Sequence, residues 1–222
     1  PKPNNLTFEQ AAAFHTAYLT AYVSLVRRGN LTKGEALLVH GSTGGVGMAA
    51  VQLGKYLGAT VIATGTSEEK LEFTKKWGAD HTLLTHKDNI VDFRDEVKDI
   101  TNGKGADVIY DPVGGDVFDH SIRCINWGGR LLVVGFASGR IPNLPINMAL
   151  IKGFSVIGVR AGEYGRKDPK AGIENNNAIR KICEEGHFSP YVCKEFDLKD
   201  AKDAIQLLSE RKLVGKVVSK TN

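Results

Sequence analysis

A chain of 222 residues, 42% hydrophobic and 24% charged, has the make-up of a soluble globular protein with room for one large domain, or a domain and an appendage. Its formal charge of +4 is spread over 29 basic and 25 acidic residues, a mildly basic solvated surface that argues against a nucleic-acid footprint. Three cysteines, Cys124, Cys183 and Cys193, at spacings of 59 and 10 fit neither a zinc framework nor a CxxC pair; with no membrane span or signal peptide in the sequence, free thiols in the cytoplasm are the expectation.

The chain opens on Pro1, Lys2, Pro3, Asn4 and Asn5 without a methionine, and we expect a start within a longer protein. Thr7 with Gln10 three residues on reads as a capping box, so a helix should begin at Phe8 and run, with interruptions, to Arg28 before Gly29. Residues 31–35 form a polar turn into a short apolar strand, Ala36–Val39. That strand stops at a glycine turn, with Gly41, Gly44 and Gly47 spaced Gly-x-x-Gly-x-x-Gly and Ser42 where the first glycine of GxGxxG would stand. Behind it, residues 46–57 have the apolar spacing of a helix. Strand, glycine turn and helix is the setting in which such a motif binds a dinucleotide. The glycines let backbone approach a pyrophosphate at the positive end of the helix. A turn that merely packs a helix on a strand would carry the same spacing.

Alternation continues: strand 59–64, helix 66–77, weak strand 82–85, helix 89–100, strand 107–111, helix 117–125, strand 131–134, a proline- and glycine-rich loop 135–145, and strand 154–159. After Ala161 come a polar loop (163–177), a helix (178–185), a short segment (191–196), a helix (201–211) and a last strand (214–218). This pattern predicts an α/β fold, a doubly wound parallel six-stranded Rossmann sheet with helices on both faces and terminal trimmings. Its ligand would sit at the carboxyl ends of the strands where their order reverses.

A carboxylate after the second strand would bond an adenosine ribose and repel a 2′-phosphate. Here the position holds Gly65, Thr66 and Ser67, with Lys70 one turn later, which favours NADP(H) over NAD(H). Thr66 or Ser67 can equally cap the following helix, and Glu68 and Glu69 oppose a phosphate. No P-loop Gly-Lys-Ser/Thr occurs, and no Tyr-x-x-x-Lys pair of a short-chain reductase.

The run from Val39 to Leu53 resembles the cofactor-binding segment of the zinc-free quinone oxidoreductases, in the medium-chain dehydrogenase/reductase superfamily. Residues 18–22, 111–118, 134–142 and 215–218 are similar to other ordered stretches of the quinone oxidoreductase-like branch, so the resemblance covers nearly the whole chain. It implies hydride transfer from NADPH to a quinone or an α,β-unsaturated carbonyl. It also implies that Gly44, Gly45 and Val46, with Thr43 and Gly47 beside them, meet the pyrophosphate. Ser67 and Lys70 would meet the 2′-phosphate. Val113, Phe136 and Ala137 would line the nicotinamide, with Thr20 near its ring and Lys216 near the phosphates. A core position for Phe136, a helix-face hydroxyl at Thr20 and a solvated Lys216 are the plainer alternatives. His86 stands where relatives often carry a tyrosine against the adenosine.

Zinc-dependent relatives carry a cysteine ligand where this chain has Thr16, beside His15, so no metal is expected. The resemblance implies a barrel-like substrate domain ahead of this region. Residues 1–30 would then be a linker helix, 31–190 the dinucleotide-binding domain and 191–222 a segment returning towards that substrate domain. No catalytic residue can be assigned; Arg160 and Tyr164 are candidates for polarising an acceptor carbonyl. The expected partners are a quinone or enone acceptor and a second copy of the chain, paired edge to edge through residues 154–159. Neither nucleic acid nor a membrane is expected. The alternatives are a silent nucleotide sensor and an RNA-binding or structural relative.

Overall fold

Residues 2–85 and 91–221 are described by the structure, a computed structural model. The sheet is built from short apolar strands, of which the inner ones β1, β2 and β4 are buried almost throughout and the outer ones are partly exposed. Its strands are β1 (Ala36–Val39), β2 (Thr60–Gly65), β3 (His81–Leu84), β4 (Ala106–Asp111), β5 (Ile125–Val133) and β6 (Ser155–Gly158). All pairs are parallel, in the order β3-β2-β1-β4-β5-β6, so the order reverses between β1 and β4. The period-two alternation of a strand sorts neighbouring side chains into two cores. Leu37, Val39, Val61, Ala63, Val108, Tyr110 and Leu132 enter one core, and Leu38, Ile62, Ile109 and Leu131 enter the other.

The first core is roofed by α1 (Phe8–Tyr22) and α2 (Gly45–Tyr56). Tyr18 donates to Gln52 Oε1 at 2.8 Å between these helices, and Phe14, Tyr18 and Phe188 stack beside them. The expected capping box is present at Thr7 and Gln10. The helix then widens into a π-type turn, Val23–Arg28, after Thr20 and Ser24 have bonded back to the carbonyls of Thr16 and Thr20. Such back-bonding hydroxyls bend a helix. The second core is roofed by α4 (Arg94–Ile100) and α5 (Gly115–Cys124), while α3 (Glu68–Lys76) lies between β2 and β3 in the chain. The helix expected over 89–100 begins in the described residues only at Arg94; residues 86–90, and with them His86, lie outside those residues.

Several expectations need correction. The loop after β5 is followed by a further helix, α6 (Ile146–Lys152), closed by Gly153 at φ +59°. The polar stretch 163–177 is helical: α7 (Ala161–Lys167) and α8 (Pro169–Glu184) form a hairpin. Polarity misleads there because α8 shows solvent its asparagine- and charge-rich side, while Ala171, Asn175, Ile179, Ile182 and Cys183 form its buried stripe. Asp168 caps α8 by accepting from Ala171 N at 3.0 Å, with Pro169 in the first turn. Buried Asn175 accepts from Arg27 Nε at 2.7 Å, tying α8 to the π-type turn. Strand β5 starts earlier than expected, at Ile125, across a register shift against β4.

The chain ends in β7 (Val192–Asp197), a 3₁₀ turn, α9 (Ala201–Ser209) and β8 (Lys216–Lys220). β7 and β8 pair in parallel as a separate two-stranded sheet.

Replacing Asp168 by Ala removes the cap of α8 and should cost about 1 kcal/mol. The expected drop in melting temperature is roughly 2–4 °C for a chain of this size; circular dichroism melts of D168A and the parent chain measure it.

Candidate functional site

A cavity of about 640 Å³ opens at the carboxyl ends of the strands, astride the reversal of strand order. Each strand-to-helix turn supplies part of its wall: Gly41 and Thr43 after β1, Gly65 and Thr66 after β2, Thr85 after β3, Val113, Gly114 and Asp116 after β4, and Ala137 and Arg140 after β5. The C-terminal segment adds Arg211. Open α/β sheets bind their ligands at such a crevice.

The glycine turn is held by close packing. Gly41 has φ +57°, a conformation that costs a side-chain-bearing residue energy. A Cβ on Gly47 would stand 2.2 Å from the Gly41 carbonyl oxygen, so only glycine lets α2 start this close to the turn. No side chain caps α2. Its positive end therefore remains available to an anion beside Thr43 on the cavity wall. These features fit a dinucleotide pyrophosphate.

The C-terminal segment closes onto that turn. Gly215 N donates to Thr43 O at 2.8 Å, and the methylenes of Lys216 lie so near Gly45 that an added Cβ would be 2.3 Å from Cε. This sets the Lys216 ammonium beside the first turn of α2. Arg211, at φ +55°, donates to Ala137 O at 2.8 Å, and its own carbonyl accepts from Lys70 Nζ at 2.6 Å. Burial pulls the Lys70 ammonium below its usual value, against the charge of Glu69.

Of the residues singled out by sequence, Thr43, Val113 and Ala137 line the cavity, and Gly44, Gly45, Val46 and Gly47 form the adjoining helix start. Phe136 packs against Gly114. Ser67 caps α3, its hydroxyl accepting from Lys70 N at 3.4 Å, and neither Ser67 nor Lys70 lines the cavity. Thr20 spends its hydroxyl on Thr16 O at 2.7 Å and is not part of the wall. Arg160 and Tyr164 line a separate cleft with Arg28 and Lys167. The sequence reading gave no role to His40, Asp116, Arg140 or Arg211, all of which line the cavity. Arg211 sits after an amphipathic helix remote in sequence, and its only signal was proximity to the final strand.

His40 forms part of the cavity floor and is fully buried. Ser121 Oγ donates to Val117 O at 2.7 Å, so it accepts from His40 Nε2–H at 2.8 Å; Thr64 Oγ1, also at 2.8 Å, then donates to the unprotonated Nδ1. Burial holds the imidazole neutral, its pKa lowered to about 3. Asp111, at the end of β4, accepts from Val113 N and Gly114 N at 2.8 Å each and shapes that turn, while burial pushes its carboxyl above the usual range.

Among the described residues no three His, Cys, Asp or Glu side chains gather as a metal site. Cys124 and Cys183 are buried apart from each other, and Cys193 Sγ points to Lys216 O. Thr16 offers no thiol and His15 is engaged by Asn176 at 2.9 Å, so these residues do not fit a zinc ion. No helix among the described residues is long and apolar enough to cross a membrane.

The family described as zinc-binding dehydrogenase matches residues 45–175. The quinone oxidoreductase-like protein 2 homolog of Nematostella vectensis is 37% identical over 220 residues, covering 99% of this chain and 60% of the relative. A mycobacterial protein solved in complex with NADPH superposes with a TM-score of 0.90 at 29% identity, over 99% of this chain and 66% of that one. The CurK enoyl reductase superposes with a TM-score of 0.86 at 26% identity, over 99% of this chain and 65% of the other. The chain thus spans about three-fifths of the length of the curated relatives it matches.

The His40 environment carries a pH signature. An unfolded histidine takes up its proton near 6.5, the folded one only near 3, so between those values the unfolded chain binds more protons and stability falls as pH drops. His40→Asn lacks this titration. Melting temperatures followed from pH 7 to pH 4 should decline less steeply for H40N than for the parent chain; equal slopes would contradict a buried neutral imidazole.

Proposed function

Because the chain belongs to the zinc-binding dehydrogenase family, among the medium-chain dehydrogenase/reductase oxidoreductases, we propose that it is the NADPH-binding part of a zinc-independent reductase acting on a quinone or an α,β-unsaturated carbonyl. The observation that carries this reading is the glycine turn opening onto a crevice at the reversal of strand order, with no carboxylate among the wall residues after β2. The NADPH-bound mycobacterial neighbour and the enoyl reductase support it.

Bound NADPH supplies a hydride. The chain's own residues hold and orient it. Gly44, Gly45, Val46 and Gly47, with Thr43, present the helix start to the pyrophosphate, and Lys216 adds a cation there. Val113, Phe136 and Ala137 form the apolar side for the nicotinamide; Thr20 would reach it only by releasing Thr16 O. At the 2′-phosphate, Ser67 and Lys70 are joined by Thr66 and Arg211. Lys70 must leave the Arg211 carbonyl to meet a phosphate, whereas Arg211 already faces the cavity and, among the described residues, its guanidinium is bonded only to Ala137 O. Arg211 is therefore the readier cation. The acceptor is held by parts of the protein that include more than these residues, with the domain division at 1–30, 31–190 and 191–222.

The zinc-independent reading rests on the donor set around Thr16 and His15. Three free thiols support a reducing, cytoplasmic setting. Among the described residues strand β6 pairs with β5 alone, and nearby Trp127, Leu150 and Ile151 are exposed. This apolar edge supports a homodimer formed through β6.

Fluorescence titration with NADPH and NADH tests the cofactor reading: NADPH should bind the more tightly. Arg211→Gln should weaken NADPH about tenfold, the value of a charged hydrogen bond, and NADH much less; equal losses for both would move Arg211 off the 2′-phosphate. Val156→Asp should convert a dimer to monomer in light scattering, and an unchanged mass would remove β6 from the interface.

A further inference from the structure

Two carboxylates stand on α5 beside the cavity. Asp116 and Asp119 lie three residues apart on α5, hence on one face of it, and Asp116 is part of the cavity wall. A single guanidinium takes both: Arg140 Nη2 is 2.7 Å from Asp116 Oδ1 and also meets Asp119 Oδ2. Arg140 itself lines the cavity. Its loop is fixed by backbone bonds to the turn after β4, Ala137 N to Pro112 O at 3.0 Å and Ser138 N to Val113 O at 2.9 Å, so the guanidinium is brought to the carboxylates by the fold.

Ion pairs this exposed add little to stability. Their effect on an entering ligand is larger. A dinucleotide with a 2′-phosphate carries several negative charges, and those that bind within about 8 Å of Asp116, a residue of the cavity wall, feel its charge with little screening. Asp116 also favours the start of α5 through the helix dipole. Two bare carboxylates there would repel the ligand the glycine turn attracts.

We propose that Arg140 is a positioning residue that offsets one of the two carboxylate charges of Asp116 and Asp119, so that a polyanionic dinucleotide can enter and stay, without itself contacting a phosphate. This rests on the cofactor reading above.

The test is a fluorescence titration with NADPH and NADH, at low and moderate salt, of the parent chain, R140Q, R140K and the triple variant R140Q/D116N/D119N. R140Q should weaken NADPH binding about three- to tenfold at low salt and NADH less, with the loss shrinking as salt rises. R140K, which keeps the charge, should bind nearly as the parent does. The triple variant should bind at least as tightly as the parent, because the cluster's charge goes from -1 to zero. Unchanged binding in R140Q overturns the proposal. So does a loss that the two Asp→Asn changes leave in place, which assigns Arg140 to a direct phosphate contact. Failure of the parent chain to bind either nucleotide overturns the cofactor reading and this proposal together, a pattern distinct from both.

Discussion

The approach of Gly47 to the Gly41 carbonyl is the contact on which the rest of the site depends. A Cβ there would lie 2.2 Å from that oxygen, so the start of α2 can reach the end of β1 only if the position is glycine. The close start puts the positive end of the helix beside the reversal of strand order. It also leaves a bare backbone edge at Thr43 and Gly44, on which the C-terminal segment settles through Gly215. Strand order, helix dipole and the final strand converge on one turn because one side chain is missing.

Around that turn the charges are arranged in tiers. Lys216 lies at the helix start, Arg211 and Lys70 meet each other beyond β2, and Arg140 offsets one of the two carboxylate charges on α5. The cavity floor is polar yet uncharged, because His40 is held neutral between Thr64 and Ser121. Positive charge thus sits at the rim, where solvent and ligand compete for it, while the floor spends its hydrogen bonds internally.

The cofactor crevice also explains why the terminal segments matter. α1 enters the core through Phe14 and Tyr18, and the last strand braces the glycine turn, so segments distant in sequence are needed to complete a single site. The family match covers residues 45–175 and omits both.

How far the chain could be read from sequence varied with the range of the forces involved. The six strands, the capping box at Thr7 and the glycine turn were legible because each is a local matter of alternation, side-chain capping or a forbidden Cβ. The first half of α8 was not, since its polar residues declare a loop until Asp168 caps the helix and Asn175 meets Arg27. The sequence by itself determined a dinucleotide-type sheet and its glycine-lined crevice. Only the tertiary structure decided which cations reach that crevice. Ser67 and Lys70, near in sequence, are turned to a cap and a carbonyl, while Arg211, about 140 residues from Lys70, faces the cavity. Local patterns set backbone geometry, but the direction of a long charged side chain is settled by whichever partner the folded chain brings within its reach.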